Sequence, residues 1–113
     1  MPDYFRGTWQ DPLSGSMEEI VAFVDRTSKW ATLEADLKNK ILPFCKENGA
    51  EIYGAVGTCW GSAPLVKMCA WDAFKAGVSM HPSHSMLFPM IGEDEKTALE
   101  AIKCPQLFMP AGI

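Results

Sequence analysis

The sequence predicts an α/β fold built on a parallel sheet, and three observations carry that expectation. Short apolar runs alternate with amphipathic segments of helical period along the 113 residues. The apolar run 51–57 leads directly into Gly57-Thr58-Cys59-Trp60-Gly61 and then into an apolar helical stretch, the order strand, tight turn, helix. Hydrophobic residues make up 48% of the chain and charged residues 21%, which supplies a core for one small domain spanning residues 1–113 and leaves no segment disordered by composition.

Each element has its own signal. Residues 1–16, MPDYFRGTWQDPLSGS, are dense in Pro, Gly, Asp and Ser and read as a loop. Ser16 then stands as an N-cap with Glu19 three residues on, a capping box, and Ile20, Phe23 and Val24 give the next helix its apolar stripe. TLEADLKNKILPFCKENGA predicts the clearest helix, with Leu33, Leu37, Ile41, Phe44 and Cys45 on one face. Glu34–Lys38 and Asp36–Lys40 are favourable i,i+4 pairs, Pro43 kinks this helix and Gly49 stops it. EIYGAVG is a strand. SAPLVKMCAWDAF is a helix apolar on most of its surface, as a helix packed on a sheet must be. AGVSMHP is a second strand ending at Pro82, DEKTALEAIK a short helix whose charges match its dipole, and PQLFMPAG a third strand. Strands near 51–57, 76–81 and 106–110, separated by helices, make the sheet parallel and put helices on both of its faces.

Composition also narrows function. A formal net charge of −4 argues against nucleic acid or an anionic membrane surface as partner. No stretch is long and apolar enough to cross a bilayer, and the N-terminus has no apolar core behind basic residues, as a secretory signal would. The four cysteines, Cys45, Cys59, Cys69 and Cys104, form no CxxC pair and lie in apolar surroundings. Free thiols in a reducing compartment follow, so a cytoplasmic location is expected.

Gly57-Thr58-Cys59-Trp60-Gly61 has the form G-x-nucleophile-x-G. A nucleophile raised on a strained strand-to-helix turn needs residues without bulk two places before and after it. The turn points the backbone N–H of the next residue, Trp60, at a developing oxyanion. The following helix places its N-terminus near the sulfur and favours the thiolate.

More of the chain joins this motif. PDYFRG near the start, GTCWGS in the middle, GVSMHPSH after the second strand and CPQLFMPAG near the end come in one order. Together they resemble the dienelactone hydrolase family of α/β-hydrolases over almost the whole length. The resemblance implies a partial α/β-hydrolase fold and an ester or lactone hydrolase that works through a Cys–His–Asp triad without a cofactor. Cys59 matches the nucleophile and Trp60 the residue supplying an oxyanion N–H. Arg6 lies near the family's arginine that grips a substrate carboxylate, one residue closer to Pro2 than in the bacterial enzymes. The family's triad acid follows shortly after the PAG segment and its histidine lies further on. The expected chain is therefore the middle of a hydrolase, without the opening strands, the second oxyanion donor or the acid and histidine.

His81 and His84 are read as lying in the loop at the carboxyl end of the second strand, the edge that carries Cys59. They are candidate substitute bases, although a loop-shaping histidine is the favoured expectation for each. A metal site from His81, His84 and Glu93 or Asp94 is disfavoured, because HxxH off a helix converges its ligands poorly; no metal and no cofactor is expected. Two functions stand side by side. One is cleavage of a small ester or lactone by attack of Cys59, with the small molecule as the partner. The other is a catalytically incomplete remnant that acts, if at all, as a binding module.

Overall fold

The computed structural model describes residues 3–8 and 15–112. Pro2, which opens the PDYFRG segment, residues 9–14 of the first loop, and the terminal residues Met1 and Ile113 lie outside the described residues. The chain gathers into two compact units, divided after Gly49.

In the first unit Asp3 winds residues 3–8 into a turn. Its carboxylate accepts the backbone N–H of Phe5 at 3.1 Å and of Gly7 at 2.7 Å, and Arg6 between them takes φ 53°. Helix α1 (Met17–Thr27) starts with the expected capping box: the Glu19 N–H donates to Ser16 Oγ at 3.2 Å and the Ser16 N–H to the Glu19 carboxylate at 2.9 Å. Phe23 and Val24 bury its inner stripe, and the Phe5 ring packs tilted against Phe23 with ring centroids 5.2 Å apart.

The single long helix expected next is divided into α2 (Trp30–Asp36), one π turn over Leu37–Ile41, and α3 (Leu42–Glu47). Pro43 explains the division. It has no N–H to donate, and its ring crowds the carbonyl four residues back. The Leu42 N–H therefore reaches back to the Leu37 carbonyl, five residues away, and the wider turn accommodates the ring. One inserted residue rotates everything after it by about 100° around the axis. Leu33 and Leu37 are buried as expected, but Phe44 leaves their stripe and is 65% exposed. Both ion pairs form, Lys38 to Glu34 at 2.6 Å and Lys40 to Asp36 at 2.7 Å. Gly49 ends the segment at φ 87°, a conformation that carries no penalty only for glycine.

The second unit holds β1 (Tyr53–Thr58), a 3₁₀ turn over Cys59–Gly61, α4 (Ser62–Met68), β2 (Phe74–Met80), α5 (His84–Met90), α6 (Glu95–Glu100) and β3 (Gln106–Met109). The strands pair in the order β1-β2-β3 and both pairings are parallel. This is a small α/β fold with strands in the three expected segments. Leu65 and Val66 of α4 and Phe88 of α5 are completely enclosed, each stabilising the unit by about 1.5–3 kcal/mol. Lys67 pairs with Glu93 at 2.6 Å, which ties α4 to the α5–α6 connection.

Three expectations need correction here. The helix after the elbow stops at Met68 rather than running to Phe74. The Cys69 carbonyl accepts the Lys103 N–H at 3.0 Å instead of a donor further along the same helix. His84 does not lie in a loop; it is the first residue of α5. Pro82 and Pro89 suggest irregular chain, yet Pro82 precedes the helix and Pro89 falls in its last turn, while burial of Leu87 and Phe88 holds the segment helical. Finally, the helices of this unit lie on one face of the sheet. Ala55 and Gly57 point toward α4, whereas Val56, Leu107 and Met109, on the other face, are 70%, 54% and 49% exposed. The alternation of strands and helices prompted the expectation of helices on both faces, but alternation alone does not fix the face on which each helix packs.

Candidate active site

Thr58, the last residue of β1, is the register partner of Met80, the last residue of β2. Each strand is then left by a non-glycine residue in the left-handed region, Cys59 at φ 51° and His81 at φ 51°. Such a conformation costs on the order of 1–3 kcal/mol at each residue and persists only where the surroundings enforce it. The site is thus two strained exits side by side on one sheet edge.

Gly57 makes the first exit possible. A Cβ there would stand 2.3 Å from the Gly61 carbonyl oxygen, 2.6 Å from its carbon and 2.9 Å from the Ser62 nitrogen, all backbone atoms. The chain doubles back onto the glycine too closely for any side chain. The matching expectation for Gly61 does not hold. Its backbone is right-handed helical and a Cβ would meet nothing within 4 Å. Bulk is excluded two places before the cysteine and tolerated two places after.

Ser62 holds the two exits together. It is fully buried; its hydroxyl donates to the Cys59 carbonyl at 2.6 Å and accepts the Ser83 N–H at 3.2 Å. The His81 N–H donates to the Met109 carbonyl at 2.8 Å and anchors the second exit to β3. Cys59 Sγ is exposed and lies 3.4 Å from Ser83 Oγ. Trp60 follows in the 3₁₀ turn and is half-buried. Ser62 and Ser83 were not singled out from sequence. The only signal is that both are small hydroxyl residues inside the quoted segments GTCWGS and GVSMHPSH.

The histidines take different roles. His81 is exposed at the end of β2. His84 is 8% exposed, its ring edge-on to Phe108 at 5.7 Å and beside Phe88 at 6.1 Å. Burial pushes its pKa below the ordinary imidazole value, against the raising influence of Glu95 and of the Ser62 backbone. Its Nε2 has no hydrogen-bond partner among the described residues. Because the folded pKa is depressed, the unfolded chain takes up the proton first, around the ordinary value of 6.5. Stability is therefore full above that pH and declines as the pH falls through it. Between about pH 7.5 and pH 5.5 the thermal midpoint of the native chain should drop more steeply than that of His84→Phe, which keeps the ring contacts and binds no proton. Parallel melting curves would show that His84 does not carry this dependence.

Arg6 belongs to the first unit, where it pairs with Asp36, whose other oxygen binds Lys40 at 2.7 Å. The Lys40 hydrogen bond and the charges of Arg6 and Lys40 hold the Asp36 carboxyl below the usual carboxylate range, against its partial desolvation. Among the described residues no group of three or more His, Cys, Asp or Glu could hold a metal ion, and no helix is long and apolar enough to cross a membrane.

The four thiols are free and differ in access. Cys59 is exposed, Cys45 and Cys104 are half-buried, and Cys69 is buried. Burial pushes the Cys69 thiol up to about 11, opposed by a hydrogen bond from Gln106 and reinforced by the neighbouring Cys104. Limited iodoacetamide treatment near neutral pH, read by mass spectrometry, should label Cys59 first, Cys45 and Cys104 later and Cys69 last. Equal or slower labelling of Cys59 would contradict the exposed elbow. Comparison with family models, with curated proteins and with solved structures finds no match to this chain.

Proposed function

We propose that Cys59 is the nucleophile of an ester or lactone hydrolase of the dienelactone hydrolase type, on the elbow-bearing part of an α/β-hydrolase sheet. One observation carries this: a cysteine at φ 51°, exposed at the end of a parallel strand, on a turn that only Gly57 permits. A buried structural thiol needs none of these features, and a nucleophile raised on a strand-to-helix elbow shows all of them. In the proposed step the Cys59 thiolate attacks the substrate carbonyl carbon. The carbonyl electron pair moves onto oxygen, where the Trp60 backbone N–H meets the developing charge. Collapse breaks the bond to the leaving oxygen, which takes a proton from water, and leaves an acyl thioester on Sγ. The substrate is a small ester or lactone, no cofactor enters the step, and four free thiols suit a reducing, cytoplasmic setting.

The test is the release of p-nitrophenolate from p-nitrophenyl acetate. The native chain should release one equivalent in a burst, and Cys59→Ala none above background. An identical burst from both proteins would remove Cys59 from the reaction.

A further inference from the structure

Ser83 Oγ is poised between two groups. It lies 3.4 Å from Cys59 Sγ and 3.4 Å from the His81 carbonyl oxygen, and its hydroxyl carries a single proton. With Cys59 as a thiol, either group can donate across the Sγ–Oγ contact, and an S–H that donates to Ser83 Oγ leaves the Ser83 O–H to the His81 carbonyl. When the thiol ionises, it has no proton to give, and the Ser83 O–H turns to donate to the negative sulfur. A small rotation of one hydroxyl therefore serves both states of the sulfur.

That hydroxyl is held in place rather than free to drift. The Ser83 N–H is fixed at 3.2 Å on Ser62 Oγ, which is fully buried and donates at 2.6 Å to the carbonyl of Cys59 itself. The left-handed turn at His81 aims the competing carbonyl, and the His81 N–H is locked to Met109 at 2.8 Å. The backbones bearing Sγ and Oγ are tied through one hydroxyl, so their separation is built into the fold.

We propose that Ser83 is a catalytic residue of this site, the side-chain donor that stabilises the Cys59 thiolate, with Ser62 as the residue that positions it. The proposal rests on Cys59 as the nucleophile of the acyl transfer proposed above. A hydrogen bond to a charged acceptor raises the thiolate population about tenfold or more. The same bond makes each thiolate less nucleophilic, because nucleophilicity falls with basicity at a Brønsted slope of about 0.4–0.5. The two effects give a signature that loss of structure does not produce.

The experiment uses the full chain and three proteins: native, Ser83→Ala and Ser83→Thr. Carboxamidomethylation of Cys59 by iodoacetamide is followed by mass spectrometry, with Cys45 as internal rate reference and buried Cys69 as a reporter of unfolding. Near neutral pH, Ser83→Ala should label Cys59 about three- to tenfold more slowly than the native chain. At about pH 10.5, above the ordinary cysteine range, the order should reverse by a similar factor, since every thiolate is then formed and the unbonded one is the better nucleophile. Ser83→Thr keeps a hydroxyl and should restore the native behaviour at both pH values. Equal native and Ser83→Ala rates at both pH values, with Cys69 still protected, overturn the role of Ser83. So does faster labelling of Cys69 alongside a uniform change at Cys59, which marks a structural effect. A parallel p-nitrophenyl acetate burst separates the two proposals: a reversal in alkylation with no acetyl transfer to Cys59 overturns the acyl-transfer function and leaves the thiolate donor standing.

Discussion

Gly57→Ala should cost this chain about 3 kcal/mol, whereas Gly61→Ala, four residues away in the same motif, should be close to neutral. The contrast follows from what each new methyl group would meet. At Gly57 it would fall 2.3 Å from the Gly61 carbonyl oxygen and 2.9 Å from the Ser62 nitrogen, and neither is the end of a side chain that can swing aside. Relief requires moving the turn, which pulls Ser62 from the Cys59 carbonyl and from the Ser83 N–H at once. At Gly61 the new methyl group would meet nothing within 4 Å, on a backbone that alanine adopts readily. Thermal melts should place Gly57→Ala about 12–24 °C below the native chain and Gly61→Ala within a few degrees of it. Comparable losses at the two positions would mean that the turn does not close on Gly57 as described.

The second large effect concerns the fate of the acyl group. After the burst on p-nitrophenyl acetate, steady-state turnover should be negligible, and added imidazole should restore it. Hydrolysis of an acyl thioester needs a base that takes a proton from water, and a positioned base contributes about 10²–10⁴ in rate. Among the described residues, the side chain within hydrogen-bonding distance of Cys59 Sγ is Ser83, a hydroxyl with no basicity at neutral pH. His84 is 8% exposed and enclosed by Phe88 and Phe108. Imidazole in solution is small enough to approach the exposed sulfur and act in place of such a base. The gain should be absent in Cys59→Ala, which separates it from direct hydrolysis of the ester by imidazole. Sustained turnover without imidazole would contradict the stalled intermediate. It would direct attention to His81, which leaves β2 beside the Cys59 exit.

Sequence and structure agree where a short-range rule decides the outcome. The capping box at Ser16 and Glu19, the helix stop at Gly49 and the strand-turn-helix at Cys59 each depend on a few adjacent residues. What escaped the sequence depends on partners far along the chain or on an accumulated phase. The exposure of Phe44 follows from the π turn before Pro43, because one extra residue redirects every later side chain. The early end of α4 is set by the N–H of Lys103, far along the chain, donating to the Cys69 carbonyl at 3.0 Å. Helix α5 hid behind two prolines, since propensity sees the missing donors but not the enclosure of Phe88. Within the site, Cys59 was legible because glycine spacing marks a strained turn. Ser62 and Ser83 were not, because a serine supplies a hydroxyl anywhere and only the fold places these two between Cys59 and His81. His84 was misplaced for the same reason as α5. As a loop residue it was a candidate base; as the buried start of a helix it is an enclosed imidazole packed between Phe88 and Phe108.

The most direct test of Cys59 as an acyl-accepting nucleophile is to map the adduct itself. The native chain is treated with p-nitrophenyl acetate, quenched in acid within the burst, digested and sequenced by mass spectrometry. One acetyl group on the peptide carrying Gly57-Thr58-Cys59-Trp60-Gly61, attached at the sulfur and released by neutral hydroxylamine, is the predicted result. Acetyl groups found on lysines or on Cys45, with Cys59 unmodified, would contradict it.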